Sequence, residues 1–259
     1  MSPHCISIVT PSYNQGRFIE QTIQSVISQD IGCAEYIIMD GASTDETPGV
    51  LGRYAAHPRV TRVICQKDRG QADALVKGFA LCTSPILGWI NSDDLLAPGA
   101  LKEVVSTFAE HPEVDVVVGR VCSINSRGED MGLLPRAEMS VRDWRRTTMS
   151  IQQPCTFFRA EAYRRVGGID PGIHHVMDYD LFMRIALAGG VFHYLPDVLA
   201  HFRFHADSKT VGTPWKLWRE EWIVFRRNGG RPFSAFYYWK SREILSCIIK
   251  RKLLKIRHF

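Results

Sequence analysis

Apolar runs and helical repeats alternate along the first half of the chain. Ile6-Ser7-Ile8-Val9 predicts a short strand, followed by a polar loop from Thr10 to Gly16. Phe18, Ile19, Thr22, Ile23, Val26 and Ile27 then recur at helical spacing. Tyr36 to Met39 predicts the second strand, which runs out into Asp40-Gly41-Ala42-Ser43-Thr44-Asp45; Ser43 to Asp45 can cap a helix that reaches Ala55. Val60 to Cys65 predicts a third strand and Gln71 to Leu81 a helix. Ile86 to Ile90 predicts a fourth strand, ending abruptly in Asn91-Ser92-Asp93-Asp94. A helix over Ala100 to Ala109, entered near Pro98, and a strand over Val114 to Val118 follow. Strands that are apolar throughout and alternate with helices predict a mostly parallel sheet covered on both faces.

The second half has a different texture. Val121 to Ile124 predicts a strand that turns at Ser126-Arg127-Gly128, and Arg142 to Arg146 is a short basic stretch. Gln152 to Phe158 reads as loop, then strand. Helices are expected over Glu161 to Val166 and Asp178 to Ala188, each stopped by a Gly-Gly pair. Val191 to Leu195 and Val198 to Phe204 read as two strands. Beyond them Trp215, Trp218, Trp222 and Phe225 recur at helical spacing, which argues for a docked helix. These patterns divide the chain into an α/β domain over 1–212 and an aromatic, basic, helical extension over 213–259.

Charge sharpens that division. The whole chain carries +5, but Thr213 to Phe259 holds twelve Lys/Arg and three Glu, a net +9, leaving −4 for residues 1–212. Aromatic Phe233 to Trp239 and basic Lys250-Arg251-Lys252-Leu253-Leu254-Lys255 suit either an anionic membrane surface or a packed helix with a solvated end. A mildly acidic body without a recognition motif argues against nucleic acid. No apolar run is long enough to cross a bilayer. Seven cysteines without CxxC spacing, and no leader ahead of the first strand, predict reduced thiols and a cytoplasmic setting. The first strand is not followed by a G-x-G-x-x-G fingerprint and no Walker loop is present, which argues against nicotinamide and P-loop chemistry.

The chemistry collects at strand ends. The first strand ends in Thr10-Pro11-Ser12-Tyr13-Asn14, the second in Asp40, the fourth in Asp93-Asp94. In a parallel sheet all three lie on one edge, where α/β proteins bind their ligands. Adjacent acids there suit a hard divalent ion. Base, sugar and diphosphate together would engage such an edge, with Asp40 accepting from a base N–H and Asp93 holding a metal that bridges the phosphates. Arg203 and His205 alternate with Phe202 and Phe204, so both should point to one face. Trp89 is expected in the core.

In this order and combination, Thr10 to Asn14, Asp40 to Asp45, Asp68-Arg69-Gly70, Asn91 to Asp94 and Met177-Asp178-Tyr179-Asp180-Leu181 resemble glycosyltransferase family 2, over residues 5 to 210. The resemblance implies the GT-A fold and inverting transfer of a sugar from a UDP- or GDP-sugar to a glycan or lipid-linked hydroxyl. It puts Thr10, Pro11, Ser12, Tyr13, Asp40, Asp68, Asn91 and Ser92 at the donor nucleotide, and Asp94, Gln153 and Asp180 at the donor sugar or acceptor. It puts Asp93 and His205 at Mg²⁺ or Mn²⁺ and makes Asp178 the catalytic base. Two positions depart from the family's pattern: Asn91 replaces the first acid of D-x-D, and Met177 stands where Glu is common. Both keep open a second reading, a catalytically silent nucleotide-sugar-binding subunit of a polysaccharide assembly complex. An ordinary aspartate pKa of about 3.9 leaves Asp178 ionised at neutral pH without tuning.

Overall fold

The computed structural model describes residues 5–136, 138, 151–205 and 214–230, with 238 and 242 singly. The basic stretch Arg142 to Arg146, the aromatic run Phe233 to Trp239 apart from Tyr238, and the basic run from Lys250 therefore lie outside the described residues. Among the described residues nine strands form one sheet: β1 (Ile6–Ser12), β2 (Ala34–Asp40), β3 (Arg62–Cys65), β4 (Ile86–Trp89), β5 (Leu95–Leu96), β6 (Val116–Ile124), β7 (Asp130–Leu133), β8 (Thr156–Arg159) and β9 (Phe192–Arg203). Their order is β3-β2-β1-β4-β8-β6-β9-β5, with β7 paired to β6. β1 to β4 run parallel. β8 opposes both β4 and β6, so β6 and its parallel partner β9 point the same way as β1 to β4. The sheet is thus mostly parallel, as its apolar runs predict.

Seven helices are described: α1 (Gly16–Ile27), α2 (Thr47–Tyr54), α3 (Gln71–Leu81), α4 (Ala100–Glu110), α5 (Ala160–Arg165), α6 (Met177–Leu187) and α7 (Pro214–Arg227). On α1, five of the six positions of the predicted apolar stripe are buried: Phe18, Ile19, Thr22, Ile23 and Val26. Trp89 is 2% exposed and stacks on Phe182 at 6.0 Å, so it is core as expected. Val224 and Phe225 are fully buried, which docks α7 on the body.

Two expectations are corrected. The strands read separately at Val114–Val118 and Val121–Ile124 form one strand, β6, and those read at Val191–Leu195 and Val198–Phe204 form one strand, β9. Gly119 and Pro196 interrupt the sequence pattern, but there the two strands only shift register. A Cβ on Gly119 would lie 2.3 Å from Leu199 Cγ, so glycine permits that close approach. The expectation of reduced thiols also fails for one pair. Ile6 lies opposite Ala34 in the β1–β2 register, which sets Cys5 against Cys33 with Cα atoms 5.3 Å apart, and the two are disulfide-bonded. Cys65, Cys82, Cys122 and Cys155 are free.

Candidate active site

The carboxyl ends of β1, β2 and β4 open onto a cavity of about 1090 Å³. Register explains the alignment: Ser12 lies opposite Asp40, Asp40 opposite Cys65, and Val9 opposite Trp89. Thr10-Pro11-Ser12, expected as loop, extends β1 to this rim. Pro11, Ser12 and Tyr13 line one side with Gly41, Ala42 and Asp68. Ser12 Oγ is buried there without a hydrogen-bond partner, which leaves it available to a ligand. A Cβ on Gly41 would sit 2.7 Å from Asp68 Oδ2, so a larger residue there would push that carboxylate aside. The carboxylate of Asp68 is also turned by the Gly70 amide at 2.8 Å.

This side is fastened internally. α1 has no side-chain cap of its own. Its first free amides, Gln15 and Gly16, donate instead to Thr47 Oγ1 and Asp45 Oδ2, both at 3.0 Å. Asn14 N donates to Ser43 Oγ at 2.8 Å, and Thr44 N donates to Asn14 Oδ1 at 2.9 Å. Asn14 and Ala42 hold φ of 52° and 65°, left-handed values rare for residues with a side chain.

The Asn91 to Asp94 turn forms the opposite edge. Asn91 Oδ1 accepts from Gln71 Nε2 at 2.6 Å, while its Nδ2 donates to Asp94 Oδ2 and Gln153 Oε1, each at 3.1 Å. Gln153 Nε2 continues the chain to the Trp89 carbonyl at 2.7 Å. An aspartate at position 91 would supply no donor to Asp94, so the neutral residue suits this turn. Asp94 is 1% exposed, and burial followed by the charge of Asp93 pushes its carboxyl well above the usual range. Arg203 pins the turn from β9: its amide donates to Asp94 Oδ1 at 2.9 Å and its Nε to the Asp93 carbonyl at 2.8 Å. Its guanidinium also reaches Gln21 Oε1 at 2.7 Å and lies 5.0 Å over the Phe18 ring. His205 lies on the same face, 4.8 Å from Phe18, with Nε2 2.9 Å from Asp93 Oδ2.

Asp178 enters the cavity from the first turn of α6. Its Oδ1 accepts from the Tyr179 amide at 2.8 Å. Burial, reinforced by the charge of Glu221, raises its carboxyl to about 6. That corrects the expectation of an untuned aspartate. The loop before it is held by Glu220 of α7, whose Oε2 accepts from the His174 and His175 amides at 3.0 and 2.6 Å.

For a divalent cation the candidate donors are Asp93, which lines the cavity, and His205, whose side chain is buried behind it, 4% exposed, with Nε2 against Asp93 Oδ2. Asp93 Oδ1 has no hydrogen bond among the described residues, and Asp93 lines the cavity. No group of three or more His, Cys, Asp or Glu that could hold an ion occurs among the described residues. One carboxylate beside an imidazole fits an ion completed by ligand phosphates and water, the usual arrangement for Mg²⁺ and one open to Mn²⁺.

The cavity therefore gathers Pro11, Ser12, Tyr13, Asp68, Asn91, Ser92, Asp93, Gln153 and Asp178. Other expected residues stand behind its wall. Thr10 Oγ1 is buried against Tyr36 Oη at 3.0 Å. Both oxygens of Asp40 are taken by Ser43, at 2.9 Å to its amide and 2.5 Å to its hydroxyl. Asp94 and Asp180, expected at the sugar or acceptor, are both withdrawn from it. Asp94 anchors its own turn; Asp180, fully buried, is taken by Arg184 and Arg227, each at 2.7 Å. Sequence reasoning missed Gln71, Glu220 and the anchoring role of Arg203. Gln71 had a signal, since it directly follows Asp68-Arg69-Gly70; Glu220 had none, because its partners are backbone amides.

A mostly parallel α/β sheet whose strand ends frame a cleft, with a carboxylate placed for a cation and a second of raised pKa, defines a class of protein for polyvalent anionic ligands. The sequence profile of glycosyl transferase family 2 matches residues 7–167, and that of glycosyl transferase family group 2 matches residues 89–254. The chain belongs to glycosyl transferase family 2. It is 30% identical over 213 residues to a chondroitin synthase of Escherichia coli, covering 80% of this chain and 30% of that protein. It is 25% identical over 226 residues to the amylovoran biosynthesis glycosyltransferase AmsE of Erwinia amylovora, covering 85% and 84%. The chain thus spans under a third of the first relative and most of the second. Among solved structures, it matches the mannosyltransferase PcManGT of Pyrobaculum calidifontis, in complex with GDP-Man and Mn²⁺, with a TM-score of 0.65 at 23% identity, over 88% of this chain and 65% of that one. S. aureus TarS 1-349 in complex with UDP-GlcNAc matches with a TM-score of 0.66 at 16% identity, over 85% and 65%. The fold is GT-A.

Proposed function

We propose that the chain is an inverting glycosyltransferase that moves a sugar from a UDP- or GDP-sugar to a hydroxyl of a glycan or lipid-linked acceptor in polysaccharide synthesis. The observation that carries this reading is that Asp93 and Asp178, far apart in sequence, line one cavity. The two structural neighbours, one in complex with UDP-GlcNAc and one with GDP-Man and Mn²⁺, support both the donor class and the ion. The nucleotide would lie against Pro11, Ser12, Tyr13 and Asp68, where Ser12 Oγ offers an unused hydroxyl. A base N–H would have to compete with Ser43 for the carboxylate of Asp40.

Asp93 with His205 would hold Mg²⁺ or Mn²⁺. When bound, the ion supplies positive charge beside the departing diphosphate. Asp178 takes the proton of the acceptor hydroxyl while that oxygen bonds to the anomeric carbon and the carbon–phosphate oxygen bond breaks. Its raised pKa makes it a stronger base than a solvated aspartate and sets its ionisation near neutral pH. Gln153 and Asn91 shape the wall between the two carboxylates without adding charge.

Melting temperatures of the intact chain against UDP- and GDP-sugars, with and without Mn²⁺, test the reading. One donor class should stabilise the protein in a Mn²⁺-dependent way and, with a hydroxyl acceptor or water to take the sugar, yield nucleoside diphosphate on incubation. Binding without release favours the silent-subunit reading, to which Asn91 and Met177 lend weight. No shift with any donor refutes both.

Among the described residues no helix is long and apolar enough to cross a membrane. Peripheral attachment to the cytoplasmic face of an anionic membrane, through the basic tail, belongs to the same proposal. It predicts that the chain floats with anionic liposomes and that removing residues 233–259 abolishes flotation; equal flotation refutes it.

A further inference from the structure

Helix α7 carries a stripe of three residues two turns long: Glu220, Val224 and Arg227. Val224, in the middle, is fully buried. Its two flanking residues seize the segment that leads into Asp178. Glu220 Oε2 gathers two consecutive amides, His174 and His175, at 3.0 and 2.6 Å. Arg227 reaches Asp170 at 2.8 Å, at the start of that segment, and Asp180 at 2.7 Å, two residues beyond Asp178. Asp170 in turn accepts from the Gly172 amide at 2.8 Å. From Asp170 to Val176, up to the start of α6, the chain has neither helix nor strand. Without α7 the His174 and His175 amides would lose their recorded carboxylate partner.

We propose that α7 is a positioning element of the active site, with Glu220 as its working residue: by fixing the backbone at His174 and His175 it sets where the Asp178 carboxyl points. This rests on the reading of Asp178 as the base. Charge-assisted bonds to backbone amides are among the stronger neutral–ion contacts. A displacement of about 1 Å at a reacting group can cost on the order of 100-fold in rate. Burial and the charge of Glu221, also on α7, are the causes of Asp178's raised pKa, which agrees with the helix acting on this carboxyl.

The test uses the full chain with Glu220→Ala and Glu220→Gln, the second keeping an oxygen that accepts both amides. Amide hydrogen exchange over residues 170–180 reports the clamp itself; kcat and KM for the donor found above report its use. In Glu220→Ala, exchange at His174 and His175 should accelerate about 10-fold or more. Its kcat should fall by at least roughly 10-fold while donor KM stays within about 2-fold. Glu220→Gln should restore most of both. Unchanged exchange in Glu220→Ala overturns the clamp. Faster exchange with unchanged kcat, or a loss carried by donor KM alone, overturns the positioning role. A parallel loss in Glu220→Gln overturns the acceptor argument. If wild-type protein releases nucleoside diphosphate from no donor, the transfer reading falls instead, and the exchange result still decides whether the clamp exists.

Discussion

Replacing Asp178 by Asn should abolish turnover and at the same time stabilise the protein. The carboxyl is raised from its ordinary 3.8 to about 6 in the folded chain, by burial first and by Glu221 second. A shift of about two units corresponds to roughly 3 kcal/mol. The sign follows from linkage: the folded state binds this proton more tightly than the unfolded state. Above pH 6 the carboxylate is ionised in both states, and the folded state carries the full cost of burying it. As the pH falls from 6 towards 4, that cost disappears. Asn does not titrate, and its Oδ1 can keep the bond from the Tyr179 amide. Asp178→Asn should therefore exceed wild type by up to about 3 kcal/mol at pH 8, or roughly 5–10 °C in Tm for a chain of this size. The gap should close by pH 4. Calorimetry in EDTA without nucleotide, from pH 4 to 8, measures it. An equal gap at both ends, or none at pH 8, refutes the assignment of a buried, tuned carboxylate. In wild type the same ionisation should make the transfer rate climb through a limb near pH 6.

Two further substitutions probe the rim. Asn91→Asp, which restores the family's usual acid, should lower activity and cost about 2–3 kcal/mol in urea denaturation, because it sets a carboxylate against Asp94 and removes two donated hydrogen bonds; a gain in activity would show that the acid is wanted here after all. Gly41→Ala should weaken nucleotide binding at least roughly 10-fold by calorimetry, since the new Cβ meets Asp68 at 2.7 Å, and wild-type affinity would place the nucleotide elsewhere.

The half of the molecule built on β1 to β4 was largely legible from its sequence. β1, β2 and β4 are built on short, mostly apolar runs, and each run ends in residues whose chemistry is visible without a partner. Legibility failed where a residue's role depends on distant chain. Asp40 and Asp94 look like ligands by type, yet Ser43 and Arg203 claim them. Arg203 is 1% exposed although arginine is normally a surface residue; only the fold supplies the acceptors on Gln21, Asp93, Asp94 and Asn125 that make its burial tolerable. β5 spans two residues and has no periodicity to detect. The raised pKa of Asp178 depends on burial and on Glu221, neither of which a linear reading contains.

The fastening of the β1 and β2 loops to one another has an evolutionary consequence. The four side-chain bonds of that seam run between residues 14–16 and 43–47, two segments of the chain's first fifty residues. The far wall is assembled differently, from separate pieces at 151–154, 175–178 and 202–204. Under the proposed function, drift in those pieces around Asp178 would alter which acceptor is modified while leaving the donor side intact. Such a division would let one scaffold diversify its products without reinventing its fuel.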